Sequence, residues 1–303
     1  MRLTISLLAF GLALAAGPSL AQAVPDQGEP TGADAANDQP PTGESAPESA
    51  DQPLVVPWQA QILSGATDWE PEKLAVREGW DLAHKCGGTL IAPQWVLTAA
   101  HCINAERVRN GHRVRLGASA INSDDGVTYR IDRMVRHADY DRAKHIYDVA
   151  LVHFVADDRT VEGRAGPIEP IDLYDGPPLE PGVRLTATGW GKLDANAGGY
   201  QSDLSQVDLE TVDCAQYPKA ARWAKDYQLC AAGVTPDDDT CEGDSGGPLV
   251  LDGDRPVLVG VVNYGFGCYQ PDSAGIYLRI DRDHFRDWIG RAMAADPSVS
   301  EMR

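Results

Sequence analysis

Short runs of apolar and β-branched residues recur along most of this chain, and glycine, proline, asparagine and aspartate separate them. The runs lie at residues 55–63, 89–97, 114–117, 149–155, 183–189, 248–251, 257–262 and 275–280. Many short strands with turn signals between them are typical of an all-β sandwich or barrel. The pattern therefore predicts an all-β domain that begins at about residue 53.

One segment near the end of the chain has a helical period instead. In residues 282–294, Phe285, Trp288 and Ile289 follow the i, i+3, i+4 spacing that places side chains on one helical face. We predict one amphipathic helix here and find no internal repeat elsewhere.

The first residues are typical of an export signal. Met1 and Arg2 form a short positive start, residues 3–16 are apolar, and Ala21-Gln22-Ala23 is a small-x-small cleavage site. A membrane anchor is the alternative, but the apolar run is shorter than the roughly 20 residues that span a bilayer. We therefore predict a signal peptide over residues 1–23, a secreted or periplasmic mature protein, and no membrane association.

Residues 24–52 differ in composition from the rest of the chain. They are rich in proline, glycine, alanine, serine and acidic residues, and they contain no aromatic residue, lysine or arginine. Such a segment cannot bury enough apolar surface to offset the entropy of ordering it, so we predict a disordered acidic segment. A pro-segment, a spacer and a solubilising tail are the alternatives for its role.

The charge balance excludes some partners. The formal net charge is -19, whereas nucleic acids and anionic lipids bind proteins through a basic surface. We expect neither as a partner. The acidic surface either favours the approach of cationic substrates or only serves solubility.

The chain has six cysteines, and in an exported protein this number suggests three disulfides. Spacing alone does not choose among the possible pairings. No two cysteines form a C-x-x-C pair, so we assign no metal site to them.

Three short motifs carry candidate chemistry. Ser245 lies in Gly-Asp-Ser-Gly-Gly-Pro, His101 lies in Thr-Ala-Ala-His-Cys, and Asp148 heads the apolar run 149–155. A serine hydroxyl becomes a good nucleophile when an imidazole takes its proton and a buried carboxylate orients that imidazole. The alternatives are a glycine-rich surface turn, a structural histidine and a strand-capping aspartate.

Together these motifs resemble those of the trypsin/chymotrypsin family of serine endopeptidases, over about residues 53–292. The resemblance implies two six-stranded antiparallel β-barrels with the active site between them, followed by a C-terminal helix. It implies that Ser245 is the nucleophile, His101 the base and Asp148 the orienting carboxylate. The backbone N–H groups of Gly243 and Ser245 would bind the oxyanion. No cofactor and no metal are implied.

The same resemblance implies the disulfide pairing and the substrate pocket. The disulfides would be Cys86–Cys102, Cys214–Cys230 and Cys241–Cys268. Asp239, six residues before Ser245, would form the floor of the pocket and select arginine or lysine before the scissile bond. The remaining substrate-binding residues implied are Thr240, Asn263, Tyr264, Gly265 and Gly275. A solvated acidic loop is the alternative for Asp239, since Asp237 and Asp238 precede it.

Within this pocket, Asn263-Tyr264-Gly265 resembles the Ser-Trp-Gly segment that hydrogen-bonds the substrate backbone in the family. Small residues at Gly265 and Gly275 would keep the pocket mouth open.

The chain departs from the family at its amino-terminal side. Family members are activated by cleavage that frees an Ile-Val-Gly-Gly terminus, which pairs with the aspartate before the serine, here Asp244. This chain has no such sequence, and residues 24–72 contain no lysine or arginine. Three hypotheses follow for Asp244: a free terminus made by another protease within residues 40–50, an internal partner in His84, or ordering by the substrate.

A second departure is in the family's calcium loop, where Ala118 replaces a glutamate, and we assign no ion to Asp124 or Asp125. We interpret the other histidines as structural or exposed: His84, His112, His137, His145, His153 and His284.

The sequence therefore predicts one domain over residues 53–303, a secreted monomeric endopeptidase that cleaves proteins or peptides after arginine or lysine. The alternative is a non-catalytic binding protein or a locked zymogen on the same scaffold. We find no C-terminal peptide-binding domain of the kind that a periplasmic quality-control protease would carry.

Overall fold

The computed structural model describes residues 53–65, 69–158, 160–163, 165–194, 196–270 and 272–295. The predicted signal peptide at residues 1–23 and the predicted acidic segment at residues 24–52 lie outside the described residues. No helix in these ranges is both long enough and apolar enough to cross a bilayer.

Six antiparallel strands close the first barrel. They are β1 (Gln59–Leu63), β2 (His84–Ala92), β3 (Trp95–Thr98), β4 (Arg113–Leu116), β5 (Val127–Arg136) and β6 (Ala150–Val155). Their order is β4-β1-β2-β3-β6-β5, and pairing of β4 with β5 closes the ring. A two-residue strand, β7 (Val161–Glu162), adds to the edge at β5.

The second barrel repeats this arrangement. Its strands are β9 (Arg184–Gly189), β10 (Ser205–Val212), β11 (Gln228–Gly233), β12 (Pro248–Leu251), β13 (Val257–Tyr264) and β14 (Gly275–Arg279). Their order is β12-β9-β10-β11-β14-β13, closed by β12 with β13, and the short β8 (Asp172–Leu173) lies parallel to β13. The predicted all-β fold of two six-stranded barrels is confirmed.

Helices are short except for the last one. They are α1 (Pro71–Leu74), α2 (Gly79–Ala83), α3 (Ala105–Arg109), α4 (Pro218–Trp223) and α5 (Asp283–Ala294), with 3₁₀ turns at Ala100–Cys102 and Cys214–Gln216. The predicted C-terminal helix is confirmed as α5. Phe285 and Ile289 of α5 are buried, and Trp288 packs beside them.

A shared apolar core joins the two barrels. It combines Leu97 and Leu151 of the first barrel with Leu258 and Val261 of the second, and Phe285 of α5 completes it. Burial of a large aliphatic or aromatic side chain contributes about 1.5–3 kcal/mol, so this core fixes the cleft where the two barrels meet.

Candidate active site

His101 and Asp148 lie side by side because two strands of the first barrel pair. β3 leads into the 3₁₀ turn that carries His101, β6 begins just after Asp148, and Thr98 is paired with Ala150. The His101 Nδ1 atom lies 2.7 Å from the Asp148 Oδ2 atom, and the backbone N–H of His101 donates to Oδ1 at 2.9 Å. A carboxylate accepts, so Nδ1 carries the hydrogen and Nε2 is left free to take a proton.

Asp148 is held from the second barrel as well. It is only 4% exposed, and the side-chain amide of Asn263 in β13 donates to its backbone carbonyl at 2.9 Å. Burial with these bonds favours a single orientation of the carboxylate, because an unpaired buried polar group is costly. The Asn263 side chain thus supports Asp148, a contact that the sequence did not predict.

Ser245 lies in a tight loop before β12. Its backbone carbonyl accepts from the N–H of Gly87 at 2.9 Å, and the N–H of Gly246 donates to the carbonyl of Val262 at 2.7 Å. Gly246 has a φ of 82°, and a Cβ there would overlap Thr98 and Gly87. Only glycine fits such a position, so the glycines flanking Ser245 let both barrels hold this loop.

His101, Asp148 and Ser245 line one cavity of about 370 Å³. Among the described residues the Ser245 hydroxyl has no hydrogen bond, as is common before a substrate is bound. Four predicted substrate-binding residues also line this cavity, namely Thr240, Asn263, Tyr264 and Gly265. The cleft therefore combines a hydroxyl, an oriented imidazole and a pocket for a side chain.

Gly243 and Gly275 are not among the residues that line this cavity. Gly243 has a φ of 109° and comes two residues before Ser245. At Gly275 a Cβ would lie 2.7 Å from the Tyr277 hydroxyl, which in turn is 2.8 Å from the Thr240 hydroxyl. The absence of a side chain at Gly275 thus permits the Tyr277–Thr240 contact at the pocket wall.

Asp239 does not line the cavity that contains Ser245. It lies next to Thr240, on two neighbouring cavities of about 20 and 380 Å³. Its Oδ2 accepts from the backbone N–H of Tyr269 at 2.7 Å, and burial raises the pKa of Asp239 to about 6. The structure thus places a half-buried carboxylate one residue beyond the pocket wall.

The structure contains the three disulfides that the resemblance implies. Cys86–Cys102 joins β2 to the turn of His101, and Cys241–Cys268 joins the loop before Ser245 to the segment after β13. Cys214–Cys230 joins a 3₁₀ turn to β11. Two of the three thus connect residues that flank the cleft.

Comparison with known proteins agrees with this geometry. The family model described as Trypsin matches residues 48–289. The chain belongs to the trypsin family. It is 33% identical over 197 residues to a trypsin of Simulium vittatum, covering 64% of this chain and 76% of that protein. It is 34% identical over 216 residues to mouse transmembrane protease serine 11E, covering 69% of this chain and 49% of that protein.

A solved structure is similar across both barrels. Neuropsin, a serine protease expressed in the limbic system of mouse brain, matches with a TM-score of 0.61 and 26% identity. The match covers 78% of this chain and 94% of neuropsin. By contrast, the chain spans about half the length of the mouse transmembrane proteases that it matches.

The Asp244 carboxylate is buried, and backbone N–H groups bond it. The N–H groups of Gly191 and Cys241 donate to its two oxygens at 2.8 Å each. No lysine, arginine or histidine side chain within the described ranges bonds it, and burial raises its pKa to about 6. His84 contacts the carbonyl of Gly243 instead, so the structure does not bring together the proposed His84–Asp244 pair.

The outer rim of the cleft was missed by sequence reasoning. Tyr140, Arg142 and His145 line the cavity from the loop before Asp148, and Glu242 lines it from the loop before Ser245. His145 is exposed, as predicted, and its ring packs on Tyr264 with centroids 4.7 Å apart. The only sequence signal for these four rim residues is that they lie near Asp148 or Ser245 along the chain.

Proposed function

We propose that this chain is an endopeptidase that hydrolyses peptide bonds through an acyl-enzyme on Ser245. The hydrogen bond of 2.7 Å between His101 and Asp148, beside Ser245 in one cavity, is the observation that carries the proposal. Removal of any member of such a triad greatly lowers the rate because the three groups act as a unit.

In the proposed reaction, the Ser245 oxygen attacks the substrate carbonyl and its proton passes to His101 Nε2. The backbone N–H groups of Gly243 and Ser245 stabilise the negative oxygen that forms. His101 then gives the proton to the leaving amine, and the C–N bond breaks. Water, deprotonated by His101, hydrolyses the ester and restores Ser245.

We further propose that the residue before the scissile bond is arginine or lysine. A cationic side chain that enters past Thr240 would approach Asp239, the half-buried carboxylate next to it along the chain. Arginine would pair with two parallel hydrogen bonds, whereas lysine would act as a point charge.

The catalytic domain is proposed to cover residues 53–303 and to act as a monomer outside the cytoplasm. The three disulfides support this location, since structural disulfides persist in oxidising compartments. A signal peptide at residues 1–23 and a possible pro-segment at residues 24–52 belong to the same proposal. Proteins or peptides, rather than nucleic acids or membranes, would be its partners.

A locked zymogen is the second candidate. One observation favours it: Asp244 is buried, and within the described part of the chain only backbone N–H groups bond it. In that case the site would need a further event, such as a new amino terminus, before it works.

The test is to profile cleavage of a peptide library with purified protein whose amino terminus has been sequenced. We expect cleavage after arginine and lysine, labelling of Ser245 by a fluorophosphonate probe, and loss of both in Ser245→Ala. Cleavage by Ser245→Ala at the wild-type rate would refute the mechanism. An active protein that begins at Val24 would refute activation by a terminus within residues 40–50.

A further inference from the structure

The connection between β1 and β2 is unusually long. Leu63 and His84 are paired across the two strands, yet residues 64–83 lie between them, where a hairpin normally needs about 2–5 residues. We call residues 69–83, which include α1 and α2, the arm. The arm ends directly before His84, which contacts the loop of Gly243.

Asp81 anchors the arm to a second segment. It is 3% exposed, and Arg77 Nε and Nη2 donate to its two oxygens at 2.5 and 2.9 Å. The backbone N–H of Tyr200 also donates to its Oδ1 at 2.8 Å. Burial raises the pKa of Asp81, but the bonds from Arg77 and Tyr200 outweigh it and lower the pKa below its usual value. Charge-assisted bonds of this kind are the strong ones.

The ring of Tyr200 lies against the loop that precedes Ser245. A Cβ on Gly243 would lie 2.8 Å from Cδ1 of Tyr200, so the ring occupies the space where any side chain at Gly243 would be. The guanidinium carbon of Arg77 lies over the same ring, 5.0 Å from its centroid. Asp81, Arg77 and Tyr200 thus form one packed unit that ends on Gly243.

His84 contacts the same loop. Its Nε2 lies 3.0 Å from the carbonyl oxygen of Gly243, its Nδ1 lies 3.1 Å from Nε2 of Gln61, and its ring is edge-on to Tyr200. A carbonyl only accepts, so Nε2 carries the hydrogen and Nδ1 accepts from Gln61. Burial lowers the pKa of His84 to about 4, which keeps the ring neutral at pH 7.

These contacts converge on one peptide group. The peptide between Gly243 and Asp244 lies between the N–H groups of Gly243 and Ser245, the proposed oxyanion donors. The Gly243 N–H belongs to the peptide before this one and the Ser245 N–H to the peptide after it. A displacement of the Gly243–Asp244 peptide would therefore move both donors relative to the cleft. Asp244 itself receives only backbone donors among the described residues, so Tyr200 and His84 add side-chain contacts to a loop that backbone bonds also hold.

We propose that Asp81 is a positioning residue which, through Tyr200, holds Gly243 and Asp244 in place so that the flanking N–H groups of Gly243 and Ser245 both face the cleft. The inference rests on the proposed function, because an oxyanion site matters only in acyl transfer. It gives the arm a role in the rate of the reaction rather than in the choice of substrate.

The experiment compares the full chain with Asp81→Ala and Tyr200→Ala. Two ligands separate the oxyanion site from the side-chain pocket: a peptidyl trifluoromethyl ketone ending in arginine, whose adduct with Ser245 carries an oxyanion, and benzamidine, which does not. We expect kcat and ketone affinity to fall by about 10- to 100-fold, since a shift of about 1 Å or one lost donor costs this much or more. KM and benzamidine affinity should change by less than about twofold.

Two matched variants control for folding. Tyr200→Phe keeps the ring and the backbone N–H, and should retain kcat within a few-fold. Lys73→Ala breaks the exposed Glu70–Lys73 pair of 3.1 Å in the same arm and should leave every value unchanged. An equal loss of ketone and benzamidine affinity would mean general damage and would overturn the proposal.

Hydrogen exchange gives a readout that does not require activity. In Tyr200→Ala, the amides of residues 242–245 should exchange at least about tenfold faster than in the wild type, while those of β5 stay protected. Folded variants with wild-type kcat and wild-type protection would refute the role of Asp81. Failure of the wild type to cleave or to be labelled would refute the proposed function instead, and the exchange comparison would still decide this inference.

Discussion

A single half-buried carboxylate, Asp239, decides the proposed preference for arginine and lysine. It accepts hydrogen bonds from the backbone N–H groups of Tyr269 and Thr240, yet burial still raises its pKa to about 6. A bound cation would favour the charged carboxylate. Binding of a cation and ionisation of Asp239 are therefore linked.

This linkage predicts how pH affects binding of benzamidine, which stays cationic throughout. Below pH 6 Asp239 is protonated and cannot pair, so affinity should fall by about tenfold from pH 7 to pH 5 and be nearly constant above pH 7. Fluorescence or calorimetric titration measures the benzamidine affinity at each pH. Asp239→Asn should bind weakly with no slope, and Asp237→Asn, a change at an exposed neighbour, should behave as wild type. A slope that persists in Asp239→Asn would assign the titration to another group, such as Asp244.

The residues that carry candidate chemistry differ in how far the sequence could predict them. His101, Asp148 and Ser245 each lie in a short motif of their own, so local sequence was enough to single them out. Asn263 bonds Asp148, 115 positions away, and Tyr200 bonds Asp81, 119 positions away. Such contacts arise only when the chain has packed. Their polar side chains carry no local signal for these roles.

Among the elements, the loop between β4 and β5 is built around one buried arginine. Arg115 of β4 is 6% exposed, and its Nη2 donates to the carbonyl of Ser123 at 2.8 Å and to the carboxylate of Asp125 at 2.8 Å. Asp125 also accepts from the hydroxyl and the N–H of Ser119. The guanidinium thus satisfies inward-facing oxygens of the loop that resembles the family's calcium loop.

We predict that Arg115→Leu lowers the free energy of unfolding by about 1–3 kcal/mol, because the partly buried Asp125 carboxylate and the Ser123 carbonyl lose their donor. Urea denaturation measures it. Arg184→Ala, which breaks the exposed Arg184–Glu210 pair of 3.1 Å, should cost less than about 1 kcal/mol. Similar losses in the two variants would show that Arg115 does not organise the loop.

Elements were predicted well where the hydrophobic pattern was strong. The run 248–251 coincides with β12, but the run 89–97 is two strands, because Gln94 turns the chain with a φ of 69°. The strands β5, β10 and β11 were not in our predicted set. The helices of the arm were missed since four or five residues are too few to show a helical period.

At the scale of the molecule, the two barrels bring together residues that are far apart in the chain. Strand pairing in the first barrel fixes His101 beside Asp148, and the loop before β12 of the second barrel carries Ser245. The number of barrels and the family followed from motifs, which a single sequence can show. The positions of Asp239 and of the arm relative to the cleft required the packed structure.

The account depends most on His101 and Ser245 acting as one catalytic unit. The most direct measurement is a double-mutant cycle of kcat on an arginyl peptide amide with His101→Ala, Ser245→Ala and the double variant, all shown to be folded. We predict that each single variant loses about 10⁴-fold or more and that the double variant is no slower than either. Losses that multiply in the double variant would show two independent residues and would contradict the account.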